Sequence, residues 1–177
     1  MSVLPIEYYT YEDYKKWEGD WELIYGMPYA MAPAPVKKHQ LLASNIIFEL
    51  KKSLECENCE VLGEVDYKIN EETVLRPDVV LTCDDEGVEH LIKAPEIIFE
   101  IISPSTARRD EIYKFKIYEK EGVDFLILVY PDDLVAKIYK NIDGEFKKKG
   151  DFSRGVFDFG ICGVKVDFGK VFEKYRK

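Results

Sequence analysis

The unbroken apolar run Phe125–Tyr130 constrains the fold of this chain more than any other feature. A strand with one face in water alternates apolar and polar residues, whereas a strand buried on both faces does not. The run therefore predicts an interior strand of a sheet that is covered on both sides. Helices packed on a central sheet are a common way to cover both faces, so we expect a mixed α/β (α+β) architecture.

Two amphipathic helices are predicted to supply this cover. The first extends over about 18 residues, and its apolar positions recur every four residues: Leu42, Ile46, Leu50 and Leu54. It follows the helix breakers Pro33 and Pro35. The second is predicted over 105–122, with Ser105 or Thr106 as its N-cap and Gly122 as its end.

Segments rich in β-branched residues predict the remaining strands. Three of them are expected in the central sheet: 60–69, 74–83 and 96–102. Two hairpins are predicted in addition, from 21–25 with 28–32 and from 134–139 with 145–149. Short helices are predicted at 11–17 and after Gly169.

The composition restricts the class of protein. The chain has 177 residues, of which 46% are hydrophobic, and this length predicts one domain over residues 1–177. The formal net charge of -9 argues against wholesale electrostatic binding of nucleic acid, which usually involves a basic domain. The apolar runs are too short to span a membrane, and the first residues do not resemble a signal peptide. We therefore expect a soluble, cytoplasmic protein.

Four cysteines are present, and we do not expect them to make a disulfide framework in a chain of this size. Cys56 and Cys59 form one C-x-x-C pair. A zinc ribbon needs a second such pair, and Cys83 and Cys162 lie far apart in the sequence. The sequence leaves open whether Cys56 and Cys59 bind a metal.

Glu100 stands inside an apolar strand, where an ionised carboxylate is costly unless a cation or hydrogen-bond donors meet it. A second carboxylate, Asp78, stands where a polar turn enters another apolar strand. If the two strands are neighbours, both carboxylates can bind a hard divalent cation such as Mg²⁺, which leaves room for a phosphate oxygen and a water. That arrangement is a hydrolase site in outline. The alternatives are a buried salt bridge for Glu100 and a turn residue for Asp78.

Asp110, Lys114 and Tyr118 are spaced four residues apart on the second helix, so they share one face. That face can place the Lys114 ammonium group near Glu100, beside a bound phosphate or a nucleophilic water. The alternative is an ordinary surface pair of Asp110 and Lys114, which stabilises a helix only slightly.

Two further residues are candidates for the same site. Glu22 lies among apolar strand residues and is a possible metal or water ligand, although it could equally be exposed on a two-faced strand. His39 lies near the start of the first long helix and is expected to face inward. A single histidine in that position is more often a packing or capping residue than a catalyst.

The order of these motifs forms a recognisable series, carried by the following positions: Trp21–Gly26, Ala32–Pro33, His39, Arg76–Val79, Glu100–Thr106, Asp110, Lys114, Tyr118 and Gly122. The series resembles the Uma-two family of endonucleases, which belongs to the restriction-endonuclease-like superfamily with the signature PD-(D/E)XK. The resemblance extends over nearly the whole chain. Its most specific part is the Ser103–Thr106 segment after the buried Glu100.

The resemblance implies a restriction-endonuclease-like core, with a central mixed β-sheet flanked by helices and additional β-hairpins. It also implies a Mg²⁺ or Mn²⁺ site that uses Asp78 and Glu100, with Glu22 as an extra acidic residue. The signature expects a lysine two residues after the acidic one, yet this chain has Ile102 there. The resemblance then implies that Lys114, on the following helix, is the displaced equivalent.

Our hypothesis is metal-dependent hydrolysis of DNA by Asp78, Glu100 and Lys114, with His39, Asp110 and Tyr118 in support. Basic residues at 37–38 and 108–109 are expected to form a positive rim on an acidic body. A homodimer is expected, because paired sites suit double-strand cleavage. The rival hypothesis is a binding or assembly module with the same fold and no activity. A glycosidase with a carboxylate pair ranks lower, since it does not call for the lysine.

Overall fold

The structure is a computed structural model that describes residues 6–32 and 36–176. Pro33 and Pro35, which were predicted to precede the first long helix, lie outside the described residues. The helices are α1 Tyr11–Tyr14, α2 Lys37–Ser53, a π-helical turn Arg109–Lys114, α3 Phe115–Glu121, α4 Phe168–Phe172 and a final 3₁₀ turn Glu173–Tyr175.

The strands form three sheets. In chain order they are β1 Trp21–Ile24, β2 Met27–Ala30, β3 Cys59–Gly63, β4 Tyr67–Asn70, β5 Thr73–Leu75, β6 Val79–Cys83, β7 Ile97–Ile101, β8 Phe125–Tyr130, β9 Val135–Ile142, β10 Glu145–Phe152, β11 Val156–Asp158 and β12 Lys165–Asp167. The largest sheet has the order β10-β9-β8-β7-β6-β3. Strands β7 and β8 are parallel, and the other neighbours in this sheet are antiparallel. The predicted central mixed sheet is therefore confirmed.

The apolar run of β8 lies in the interior of this sheet, as its composition predicted. Every residue of β7 is buried, and only Tyr130 at the end of β8 is partly accessible. One face of the sheet packs on α2 through Leu42, Ile46 and Leu50, together with β12 and α4. The other face is covered by α3 and by a smaller sheet with the order β2-β1-β5-β4. Both faces are covered because a two-sided apolar strand leaves no face that can remain in water.

Two predicted strands, 60–69 and 74–83, are each divided between the two sheets, which corrects the prediction of three continuous strands. The first breaks after Gly63, where Glu64 adopts a left-handed backbone with φ of 49°. The second breaks at Arg76 and Pro77, because proline has no N–H group to continue the ladder. The second break places Asp78 immediately before β6.

The predicted helix over 105–122 is helical from residue 107 to Glu121, but its first part is a π-helix. The carbonyl of Ser103 already accepts from the amides of Thr106 and Ala107 at 3.1 and 2.9 Å, so the helical hydrogen bonds begin before the predicted caps Ser105 and Thr106. Gly122 ends α3 in the left-handed conformation, as predicted. Among the described residues, no helix is both long enough and apolar enough to cross a membrane.

The four cysteines are paired, which corrects the expectation that they would not form disulfides. Cys56 is bonded to Cys162, and Cys59 is bonded to Cys83. The distance between cysteines along the chain did not predict their pairing, since Cys56 and Cys162 are 106 residues apart. The fold brings the C-terminal segment back onto the end of α2, and this return is invisible in the local sequence.

Candidate functional site

Asp78 and Glu100 face each other across two neighbouring strands. The antiparallel register of β6 and β7 pairs Val79 with Phe99, so the next pair along is Asp78 with Glu100. Directly opposed residues have their Cβ atoms about 5 Å apart. The amide of Ile101 donates to Oδ2 of Asp78 at 2.6 Å, which fixes this carboxylate beside β7. The two carboxylates predicted to act together are therefore adjacent, where β6 begins and β7 ends.

Glu100 is nearly inaccessible, with 2% of its surface exposed. Its Oε1 atom lies 2.6 Å from Nζ of Lys114 and accepts a hydrogen bond of 2.7 Å from the hydroxyl of Tyr118. Both of these contacts are made to Oε1 rather than to the other oxygen, Oε2. Lys114 and Tyr118 therefore hold this carboxylate through one of its two oxygens.

The spacing of Asp110, Lys114 and Tyr118 does put them on one face, and that face points at Glu100. Nζ of Lys114 lies 3.4 Å from Oδ1 of Asp110, and all three side chains are buried. The segment that carries Asp110 and Lys114 is the π-helical turn, a rare form that recurs at functional sites. The alternative of an exposed surface pair for Asp110 and Lys114 is therefore wrong.

Glu22 reaches the same cluster from β1 of the smaller sheet. Its Oε1 accepts from Nζ of Lys114 at 2.8 Å and from the amide of Arg76 at 2.9 Å. Its Oε2 lies 3.3 Å from the guanidinium group of Arg109. With 2% of its surface exposed, Glu22 does not occupy the exposed strand position that the sequence allowed as an alternative.

His39, in the first turn of α2, contacts the outer side of the cluster. Its Nε2 lies 3.1 Å from Oδ1 of Asp78. Burial lowers the pKa of His39, but the hydrogen bond to Asp78 and the neighbouring negative charges outweigh burial and raise it. Its Nδ1 is buried and has no hydrogen-bond partner within the described parts of the chain. His39 thus holds Asp78 on the side opposite to β7.

The cluster contains more negative than positive groups, and the pKa shifts follow from this. Burial raises the pKa of Glu100 well above its usual value, and the nearby carboxylates of Asp110, Asp78 and Glu22 add to the rise against the opposing effect of Lys114. Burial likewise raises the pKa of Asp110. Burial opposes the charge of Lys114, but the carboxylates outweigh it and raise the pKa of its ammonium group. An added cation would relieve this excess of negative charge.

Hard oxygen donors beside an excess of buried negative charge fit a divalent cation such as Mg²⁺ or Mn²⁺. The fit rests on two observations: Lys114 and Tyr118 both contact Oε1 of Glu100 rather than Oε2, and the carboxylate of Asp78 is adjacent. Lys114 offsets part of the charge of Glu100, Glu22 and Asp110, and Arg109 adds a second positive group at Glu22. The residues present therefore suit a metal of this type.

The cluster forms the floor of an open cleft of about 400 Å³. The cleft is bounded by α2, the end of β7 and the segment that follows it, including Ser103 and Thr106. Lys38 and Arg109 line it, which places one residue of each predicted basic pair at the rim. Lys38 lies 3.5 Å from Asp132 across the opening. A cleft of this size admits a segment of a polymer as well as a small molecule.

Sequence reasoning missed Arg76 as part of the site. Its backbone amide positions Glu22, and its guanidinium group contacts Asp66 at 2.7 Å and Asp20 at 2.5 Å. The available signal was its position directly before Pro77 and Asp78. Two of its acidic partners, Asp20 and Glu22, lie more than 50 residues away along the chain, so local spacing did not reveal them.

Comparison with known proteins agrees with this fold. A family model, Uma2, described as "Putative restriction endonuclease", matches residues 7–156. An uncharacterized protein of Synechocystis sp. is 30% identical over 146 residues, covering 76% of each chain. The family match extends over the segments that carry Glu22, Asp78, Glu100 and Lys114.

A solved structure extends the comparison to the fold. The crystal structure of "a putative nuclease belonging to DUF820" from Anabaena variabilis superposes with a TM-score of 0.72 at 18% identity, covering 96% of this chain and 98% of the other. The two chains therefore share one fold, a mixed α+β architecture with a central mixed sheet. The chain therefore belongs to the Uma2 family, the family described as "Putative restriction endonuclease".

Proposed function

We propose that the protein is an endonuclease that hydrolyses DNA phosphodiester bonds with a divalent metal, Mg²⁺ or Mn²⁺. The observation that carries the proposal is the convergence of Asp78, Glu100 and Lys114 on the floor of one cleft. An isolated buried carboxylate would be explained by one salt bridge, but here several acidic groups share one lysine. The family description points to the same class of enzyme.

In this proposal Asp78 and Glu100 hold the metal, and Glu22 completes its surroundings. The contact of Oε2 of Glu22 with Arg109 is long, at 3.3 Å, so this oxygen is the one free to reorient. When bound, a divalent cation supplies Lewis-acid polarisation of the phosphate and lowers the pKa of a water. His39 and the amide of Ile101 keep Asp78 in place from two sides.

Lys114 takes the part of the lysine that the signature expects two residues after Glu100. Its ammonium group lies beside Oε1 of Glu100 although it comes from the following helix. There it offsets the negative charge that develops on a phosphate and orients the attacking water. Tyr118 and Asp110 hold Glu100 and Lys114 in this arrangement and are positioning residues.

DNA as the substrate is compatible with an acidic chain only if binding is local. The net charge is -9, but Lys38 and Arg109 lie at the rim of the cleft. We expect weak binding that depends on salt and on divalent metal. We further propose a cytoplasmic homodimer of one-domain chains, in which two clefts act on the two strands.

The proposal is tested by cleavage of supercoiled plasmid and of single-stranded DNA with Mg²⁺ or Mn²⁺. Asp78→Asn and Glu100→Gln keep the shape of each side chain and remove its charge, so each should reduce the rate by at least about 100-fold. Glu60→Gln is the matched control, because Glu60 is an exposed acidic residue on β3 of the same sheet. Equal cleavage by wild type and both site variants would point to a contaminating nuclease and reject the proposal.

A second candidate is a binding or assembly module without catalysis. The close pairing of Lys114 with Glu100 favours it, since such a pair satisfies both groups without any metal. The two candidates differ in their response to metal, because a ligand that binds only the folded state must raise the melting temperature. An unchanged melting temperature with Mg²⁺, Mn²⁺ and DNA together would favour the binding module.

A further inference from the structure

Four cysteine sulfurs from separate segments meet at the end of the main sheet that is remote from Asp78. Cys56 follows α2, Cys59 begins β3, Cys83 ends β6 and Cys162 lies in the turn between β11 and β12. Asp78 lies before the first residue of β6, whereas Cys83 is its last residue. The cysteine cluster is thus separated from the cleft by the length of a strand.

The sulfurs of three of the four cysteines are spaced like those of a metal thiolate site, and the fourth, that of Cys83, is bonded to the sulfur of Cys59. Between the two disulfides, the sulfurs of Cys59 and Cys162 lie 3.6 Å apart. The sulfurs of Cys56, Cys59 and Cys162 all lie within 4.8 Å of one another. In a tetrahedral zinc site with Zn–S bonds of about 2.3 Å, neighbouring sulfurs are about 3.8 Å apart. Reduction of the disulfides and a small outward rotation of the side chains would produce this spacing.

The local backbone is suited to the same role. Cys56 and Cys59 bracket a tight turn in which the amide of Cys59 faces the carbonyl of Cys56 at 3.4 Å. Cys162 has a left-handed backbone, with φ of 47°, and is followed by Gly163 with φ of 73°. Tight turns of this kind bring cysteine sulfurs together on one side of the chain, as the short C-x-x-C spacing of zinc sites requires.

We propose that the four cysteines, when reduced, bind one Zn²⁺ ion in a closed, structural site. Two equivalents of a phosphine and two of water convert the two disulfides to four thiols, and each phosphine becomes a phosphine oxide. Binding of Zn²⁺ then releases up to four protons as four thiolates coordinate the metal. Cys59 and Cys83 are 7% exposed, so these positions leave little room for a substrate or a water.

The site would attach the C-terminal segment to the body of the protein. The amide of Glu55 donates a hydrogen bond to the carbonyl of Cys162 at 2.9 Å. At the end of α2, the hydroxyl of Ser53 is hydrogen-bonded to the backbone carbonyl and amide of Lys165. The same helix carries His39 at its other end. The zinc site therefore holds α2 against the sheet. The inference is independent of the proposed nuclease activity.

The test uses the full chain after reduction with a phosphine. Titration of free thiols should give four per chain, which confirms that both disulfides are reduced. Asp78→Asn is included in the background so that metal bound at the cleft does not contribute. We expect one zinc per chain by native mass spectrometry after removal of free metal. With Co²⁺ in place of Zn²⁺ we expect the thiolate-to-metal absorption of a tetrahedral tetrathiolate.

Cys83→Ser and Cys162→Ser should each weaken Zn²⁺ binding by at least about 100-fold, since even loss of a supporting contact costs 10- to 100-fold. If a serine variant does not fold, the reduced parent chain decides the question. A fully reduced parent that retains no zinc, and whose Co²⁺ complex has no thiolate absorption, overturns the proposal. So does a zinc content that the two folded serine variants leave unchanged.

Discussion

Nζ of Lys114 lies 2.6 Å from Oε1 of Glu100, and both side chains are almost completely buried. Removing two charges from water is costly, and only close pairing compensates for it. Such a pair is weak support for stability by itself, because well-packed apolar residues often serve as well. Lys114 also contacts the carboxylates of Glu22 and Asp110, so this one ammonium group joins three acidic side chains.

Lys114→Met should destabilise the protein by about 3–5 kcal/mol, because it leaves the buried carboxylates without their cation. The loss is measured as the free energy of unfolding in urea. Lys116→Met is the matched control on α3, since the Lys116 side chain is 71% exposed, and its effect should be close to zero. Equal stabilities for the two variants would contradict the buried role of Lys114.

Millimolar Mn²⁺ should recover part of the stability that Lys114→Met loses. In that variant the acidic cluster has a larger excess of negative charge, so a bound cation stabilises the folded state more than in wild type. The measurement is the rise in melting temperature for each protein with added Mn²⁺. A smaller rise in the variant than in wild type would show that Lys114 and the metal do not share the same carboxylates.

Tyr118→Phe should lower the free energy of unfolding by about 1–2 kcal/mol, because the buried Oε1 of Glu100 loses its 2.7 Å hydrogen bond. Tyr130→Phe provides the comparison, since the hydroxyl of Tyr130 donates to Glu111 at an exposed position. We expect the loss for Tyr130→Phe to be smaller. A larger loss at Tyr130 than at Tyr118 would be inconsistent with the proposed support of Glu100.

Acid should weaken the fold partly through Glu119. Burial opposes its ionisation, but the hydrogen bond from the amide of Phe146 and the nearby Lys116 outweigh burial and lower its pKa. Because the folded-state pKa lies below the unfolded value, the stabilisation is present above the unfolded pKa and is lost as the pH falls through the folded one. Glu119→Gln should flatten the pH dependence of stability in that acidic range. An unchanged slope would rule out this contribution.

Gly122→Ala should cost about 1 kcal/mol, because the residue has φ of 82° at the end of α3 and an alanine is strained there. Apart from Gly122 itself and its two neighbours in the chain, no atom of the described residues lies within 4 Å of the added methyl group, so steric conflict does not contribute. Gly122→Asn should cost less, since asparagine tolerates the left-handed conformation. Equal unfolding free energies for the two variants would disagree with this explanation.

Local patterns in the sequence predicted the elements that carry the site. The apolar run of β8 indicated an interior strand, and the spacing of Asp110, Lys114 and Tyr118 indicated the face that meets Glu100. These predictions succeeded because strand burial and helix faces depend on neighbouring residues in the chain.

The remaining features depend on contacts between distant segments. Glu22 is held by Lys114 and Arg76, which come from two other elements, so its burial could not be read from its own strand. Segments 60–69 and 74–83 are each divided between two sheets, and the smaller of these sheets packs on one face of the main sheet. This packing is a contact between distant segments. The pairing of Cys56 with Cys162 depends on the return of the C-terminal segment to α2.

The central claim is that Asp78 and Glu100 hold a divalent cation, and direct titration with Mn²⁺ tests it. Free Mn²⁺ gives an electron paramagnetic resonance signal that decreases when the ion binds, so the bound fraction is measured without any cleavage. With a DNA duplex present, wild type should bind Mn²⁺ at the cleft, and Asp78→Asn and Glu100→Gln should each remove that binding. Binding that is absent in wild type, or that both variants leave unchanged, would contradict the claim.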